Sequence, residues 1–327
     1  MTLLPNRRLL LQSLSLISVL PWVAHSQDAD FPARAIKLIV PNAPGSSVDT
    51  IGRILGNQLA SAASLKNFVD NKAGAAGALG VDAGKTSAPD GYTLIVASSS
   101  SMTVAPLLQK AINYDPLKDF DFVSMVAVLP NVLVCNTALK IESVADLIAY
   151  AKANAGKVNM ASAGPGSVSH LAGVALTTAA GFEALHVPYK GGSQSVASVV
   201  SGETHWTLTP APAAMALVKA GRLRVLGHSL AKGTRPLGNV PAIADTVPGF
   251  EYGSWIGLMA PKGLPQAVAD KLRKSLGLAM QQPALREAFE ANGAVPTVST
   301  AEEFRVYLTR DISQNRQAIS MAGVKPE

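Results

Sequence analysis

Short aliphatic runs alternate along this chain with stretches whose apolar residues recur every three or four positions. Ile36–Val40 reads as a strand that stops at Pro41-Asn42-Ala43-Pro44-Gly45, and beyond it Val48, Ile51, Ile54, Leu55 and Leu59 recur at helical spacing. A strand, a glycine-bearing turn and a helix open a βαβ unit. The same succession returns with strands expected at 94–97, 158–162, 205–209 and 225–228, and helices at about 144–155, 168–180 and 211–220. Ser143 with Asp146 reads as a helix cap, and Gly156 and Gly221 read as helix stops. After a strand near 254–260 the pattern becomes helical, with expected helices at 266–282, 284–292 and 301–322, the last started by Thr300 with Glu303. The pattern predicts an α/β protein built as two α/β blocks and a helical tail.

Composition narrows this reading. An apolar share of 48% excludes a disordered chain, and 327 residues leave room for two lobes at roughly 100–200 residues per domain. Residues 1–26 have the layout of a secretory signal. Arg7 and Arg8 precede a mostly apolar stretch over 9–23, and Ala24-His25-Ser26 ends it with small residues at the two positions a signal peptidase reads. The mature chain is expected to start at Gln27, in the periplasm. The arginine pair fits either the general secretory or the twin-arginine route. The apolar stretch is shorter than the roughly 20 residues of a membrane span, and no other run of that length and purity follows it, so the mature protein is expected to be soluble.

The formal charge is +6, and +4 once Arg7 and Arg8 are removed. It is spread as singles and pairs such as Arg222 and Arg224, without the dense basic stripe a nucleic-acid partner requires. The single cysteine, Cys135, lies in an apolar run and is expected to be a buried small hydrophobe.

Candidate chemistry concentrates in three turns of small residues. Gly45-Ser46-Ser47 precedes the first helix, Gly164-Pro165-Gly166-Ser167 precedes the helix carrying Ser169 and His170, and Ser98-Ser99-Ser100-Ser101 follows a strand, more weakly because of Pro106. The first N–H groups of a helix lack intrahelical partners and carry partial positive charge, so such turns suit an anion. No turn has the Gly-Lys-Ser/Thr ending of a phosphate loop, and the third glycine of a dinucleotide fingerprint would fall at Ser169. No Gly-x-Ser-x-Gly elbow occurs, and His170, His186, His205 and His228 show no metal-ligand spacing. Neither catalysis, a cofactor nor a metal is expected.

The chain resembles the tripartite tricarboxylate transporter receptors, the Bug-type periplasmic binding proteins, from about Phe31 to the last helix. The resemblance is carried by Phe31-Pro32 with Ile36-Lys37-Leu38-Ile39-Val40-Pro41, Asp70-Asn71-Lys72-Ala73-Gly74, Ala88-Pro89-Asp90-Gly91-Tyr92, and Tyr114-Asp115-Pro116-Leu117-Lys118-Asp119-Phe120. Ala161-Ser162-Ala163-Gly164 before Ser169-His170-Leu171-Ala172-Gly173, His186-Val187-Pro188-Tyr189-Lys190-Gly191, and Gly257-Leu258-Met259-Ala260-Pro261 continue it. The resemblance implies a two-lobed periplasmic-binding-protein fold of the type II-like, Venus flytrap form, with a hinge between the lobes. The chain would cross near Val128 and Gly253, giving a first lobe of 27–128 and 254–327 and a second of 129–253. It also implies a monomer that binds a small carboxylate between the lobes and delivers it to membrane permease subunits.

The positions carried over for ligand binding are Asn42, Ala43, Gly45, Ser46, Ser47 and Asp49, then Ser98, Ser99, Ser100 and Met102. They continue with Ser162, Ala163, Gly164, Ser167, Ser169 and His170, and end with Tyr189, Thr209 and Pro210. Two departures bear on the ligand: Pro44-Gly45-Ser46-Ser47-Val48-Asp49 replaces the relatives' Pro-Gly-Gly-Gly-Thr-Asp, and Thr209-Pro210 replaces a common Asp-Asn pair. The cleft loops hold no Asp, Glu, Lys or Arg except at their edges, Asp49 and Lys190. That favours a carboxylate without an amino group, because a buried ammonium needs an acceptor-rich partner. A sensor subunit presenting its closed form to a signalling partner, and a hydrolase on the same scaffold, are the alternatives.

Overall fold

Ile36–Val40 forms strand β1 and leads through the Gly45 turn into helix α1, Ser47–Ala63, as its periodicity predicts. In this computed structural model, residues 31–234 and 236–326 are described; the expected signal segment and its cleavage point lie outside them. The chain continues through β2 (Asn67–Asn71), α2 (Ala78–Lys85), β3 (Thr93–Ser98), α3 (Ala105–Leu108), β4 (Phe120–Leu129) and β5 (Asn131–Asn136). Next come α4 (Val144–Ala153), β6 (Asn159–Ser162), α5 (Val168–Ala180), β7 (Leu185–Pro188), α6 (Gly192–Ser201), β8 (Trp206–Pro210), α7 (Ala211–Lys219) and β9 (Leu223–His228). The chain closes with β10 (Ser254–Pro261), α8 (Gln266–Met280), α9 (Pro283–Ala291), β11 (Val295–Pro296) and α10 (Ala301–Met321).

These strands form two mixed sheets, the two-lobed α/β arrangement. The first has the order β11-β4-β10-β3-β1-β2 and the second β7-β6-β8-β5-β9. β1 runs parallel to β2 and β3, and β10 runs antiparallel to β3 and β4. β4 ends in the first sheet at Leu129 and β5 begins in the second at Asn131, so only Pro130 separates them. The return passes through Tyr252 and Gly253 into β10.

Periodicity marks neither β4 nor β5, because most of their residues are buried. A strand covered on both faces loses the apolar/polar alternation by which strands are read.

Apolar cores lie on both faces of both sheets. Ile51 and Leu55 of α1 pack with Leu272 of α8 on one face of the first sheet, and Phe304 and Leu308 of α10 pack with Trp255 on the other. Further along α10, Ala318 and Ile319 join the core of the second sheet beside Trp206 and Leu171. The tail helix therefore contributes to both cores. Gly257 permits this, since a Cβ there would overlap the Phe304 ring. Cys135 is buried in the second core, where desolvation pushes its thiol up to about 11. No described helix is long and apolar enough to cross a membrane.

Candidate functional site

The carboxyl ends of β1, β3, β6 and β8 face a cleft between the two sheets, as ligand crevices do in open α/β folds. The cleft encloses about 640 Å³. Four helices begin at its walls: α1 with Ser46, Ser47 and Val48; α5 with Ser167, Val168 and Ser169; α6 with Gly192 and Ser193; and α7 with Pro210, Pro212 and Ala213. Ser98, Ser99 and Ser100 add hydroxyls from the end of β3, while Leu129, Ser254 and Trp255 come from the crossing strands. Among the described residues, no Asp, Glu, Lys, Arg or His borders the cavity.

The helix ends are prepared by local sequence. Ser46 Oγ accepts the Asp49 N–H at 3.2 Å, and Ser167 Oγ accepts the His170 N–H at 3.2 Å, the ordinary serine N-cap. Asp49 does not face the cleft. It is 3% exposed and accepts hydrogen bonds from the Gly45 N–H at 2.8 Å, Arg53 Nε at 3.0 Å and Asn71 Nδ2 at 2.8 Å. Burial opposes its ionisation, but the bonds from Arg53, Gly45 and Asn71 hold its carboxyl below the usual range. Asp49 thus fixes the first turn, and its charge is paired with Arg53 at 3.0 Å. Helix α6 is barer: Gly191 offers no side-chain cap, and no acidic residue occupies its first turn. At α7, the Ala211 N–H donates to the Pro130 carbonyl and Pro212 has no N–H, so that end is partly satisfied already.

The second turn is braced from behind. The Ala163 N–H donates to Ser169 Oγ at 2.9 Å, the Gly164 N–H to Ser162 Oγ at 3.1 Å, and the Gly166 N–H to His170 Nδ1 at 3.1 Å. Ser162 Oγ also lies 2.6 Å from His186 Nε2, but Ser162 is fully buried and does not border the cleft. This serine–histidine contact therefore supports the turn and presents no nucleophile to the cavity. Burial, with His186 beside it, pushes His170 down to about 4, and burial likewise lowers His186.

Of the positions expected from sequence, Asn42, Gly45, Ser46, Ser47, Ser98, Ser99, Ser100, Ala163, Ser167, Ser169, Thr209 and Pro210 border the cavity. Ala43, Asp49, Met102, Ser162, Gly164, His170 and Tyr189 do not. Met102 is fully buried among Phe120, Trp255 and Phe304; it falls within a π-helical turn spanning Ser100–Val104, which swings its side chain into the core. Asn42 Oδ1 is buried and has no partner among the described residues.

Sequence reasoning missed Gly192 and Ser193, although Gly191-Gly192-Ser193 ahead of Val196 and Val199 repeats the turn-before-helix signal used elsewhere. It also missed Leu129 and Trp255, which reach the cavity because the chain crosses between sheets, and Asn292, which ends helix α9. Among the described residues, no three His, Cys, Asp or Glu side chains are grouped as a metal would require.

Comparison with known proteins gives consistent findings. The family described as the tripartite tricarboxylate transporter family receptor matches residues 51–324. The BugT protein of Bordetella pertussis is 34% identical over 323 residues, covering 98% of this chain and 99% of that protein. A Rhodopseudomonas palustris protein, Rpa4515, solved with adipate, superposes with a TM-score of 0.81 at 29% identity, covering 91% of this chain and all of that one. MatC of the same organism, with bound malate, gives a TM-score of 0.74 at 25% identity over 88% of this chain and 100% of its own.

Proposed function

The chain belongs to the tripartite tricarboxylate transporter family of receptors, and from that premise we propose that it captures a small carboxylate in the intersheet cleft and hands it to the membrane subunits of a tripartite transporter. The observation that carries this reading is the cavity wall: four helix N-termini and a ring of hydroxyls, with no ionisable side chain among the described residues. Unpaired N–H groups and serine hydroxyls stabilise a carboxylate without a competing charge. An ammonium group would find no anionic partner there, and an unpaired buried charge costs several kcal/mol. Helix starts on opposite walls, α1 from the first sheet and α6 from the second, suit a ligand with a carboxylate at each end. Adipate and malate, found with the two relatives, are both dicarboxylates without an amino group.

In this reading the cleft-bordering serines, with Asn42, Ala163, Thr209 and Pro210, are the contacts, joined by Gly192 and Ser193. Asp49, Ser162, Gly164 and His170 act from behind them. The protein works as a monomer in the periplasm, exported through residues 1–26 by the general secretory or twin-arginine route. Its lobes are 27–128 with 254–327, and 129–253, closing about crossings near Val128 and Gly253.

A thermal-shift panel of malate, succinate, adipate and phthalate against aspartate and glutamate tests the ligand class. A bound acid at 100 times its dissociation constant adds about 2.7 kcal/mol, which raises Tm by about 4 °C in a protein of this size. Aspartate or glutamate giving the largest shift, with the other acids silent, overturns the proposal.

A further inference from the structure

We propose that Asp311 of the tail helix α10 is a positioning residue for the cleft: its carboxylate fixes the Trp255 wall and the serine turn beside it, and links both to the crossing segments. The inference rests on reading the cleft as the ligand site. Asp311 is 5% exposed and accepts hydrogen bonds from Thr103 Oγ1 at 2.6 Å, Trp255 Nε1 at 2.8 Å and Asn315 Nδ2 at 2.9 Å. Thr103 belongs to the turn that starts at Ser100, and the Trp255 backbone N–H donates to Ser99 Oγ at 3.1 Å. Ser99, Ser100 and Trp255 all border the cavity. One carboxylate thus holds two of its walls.

The network then runs on to the hinge. Asn315 Oδ1 accepts the Tyr252 hydroxyl at 2.6 Å, and the Tyr252 carbonyl accepts Asn131 Nδ2 at 2.7 Å and Ser229 Oγ at 2.6 Å. Asn131 begins the outward crossing strand's successor in the second sheet, and Tyr252 lies on the return. Polar contacts are therefore continuous from cleft wall through tail helix to both crossings. Burying a carboxylate is costly, and burial does raise the pKa of Asp311 against the pull of its three donors. An apolar side chain would fill the space without that cost. What the carboxylate adds is direction, because its two oxygens fix a hydroxyl, an indole and an amide together.

Asp311→Asn and the milder Thr103→Val test this, with two readouts: adipate affinity by calorimetry, and the Trp255 indole N–H resonance in 15N-labelled free protein. Folded Asp311→Asn is expected to move the indole resonance and weaken adipate binding about tenfold or more, and Thr103→Val to move it less and weaken binding about threefold. An unmoved resonance in both variants, or unchanged adipate affinity in folded Asp311→Asn, overturns the proposal. If Asp311→Asn fails to fold, Thr103→Val decides: unchanged affinity with an unmoved resonance overturns it. If the parent protein binds no acid of the panel, the reading of the cleft fails. The indole resonance of the free variants still decides whether Asp311 positions Trp255.

Discussion

His170 and His186 stack face to face, their ring centres 3.8 Å apart and their planes 11° from parallel. They come from different elements, the first turn of α5 and strand β7, and together they back the turn that presents Ala163 and Ser167 to the cleft. Two imidazolium rings at this spacing would repel each other in a desolvated site, so the stack holds only while the rings are neutral. His170 Nδ1 must also stay unprotonated to accept the Gly166 N–H.

Acid should therefore destabilise the protein through His170. Its folded pKa is about 4, against about 6.5 in an unfolded chain. Between these values the unfolded chain binds more protons, so stability is complete above about pH 6.5 and falls as the pH drops toward 4. Melting temperatures across this window measure the slope. His170→Asn, which keeps an acceptor near the Nδ1 position but cannot titrate, is expected to reduce the slope, leaving the part due to His186, His205 and His228, which burial also lowers; an identical slope in the variant contradicts the assignment.

The start of α6 is the cleanest place to test the anion cradle. A Cβ on Gly192 meets nothing nearer than Ala213 Cβ at 3.9 Å, so Gly192→Val should fold. Its branched side chain covers the bare helix end and is expected to weaken adipate binding about tenfold while leaving the Tm of the free protein within a degree or so. Unchanged affinity in calorimetry moves the ligand away from this helix.

Gly164 behaves differently, although sequence alone makes it an equally attractive target. Its φ is +115°, and a Cβ there would lie 3.3 Å from the Tyr189 carbonyl oxygen. Gly164→Ala is expected to destabilise the fold by about 1–3 kcal/mol, read as a lower urea midpoint. An unchanged midpoint shows that the turn relaxes freely.

Closure about the two crossings predicts a smaller radius of gyration in solution scattering when a saturating dicarboxylate is present. A profile that stays the same at saturation argues for a cleft that binds without closing.

Much of the protein was legible in the sequence because its signals are local. The Ser143 and Thr300 caps, the glycine stops and the spacing of Ile51, Leu55 and Leu59 depend on residues a few positions apart, and each marks an element that forms. The small-residue turns followed by the same logic, and most of the expected cleft positions come together. The remainder depends on contacts between distant parts of the chain. β4 and β5 hide because burial on both faces erases alternation. Met102 turns into the core because a π-helical turn follows β3. His186 meets His170, and Asp311 meets Thr103 across 208 positions, only after the strands have ordered themselves into sheets. Sequence periodicity reports which face of an element is apolar; it carries no record of which element will cover that face, and that choice places Trp255, Gly192 and Asn292 at the cleft.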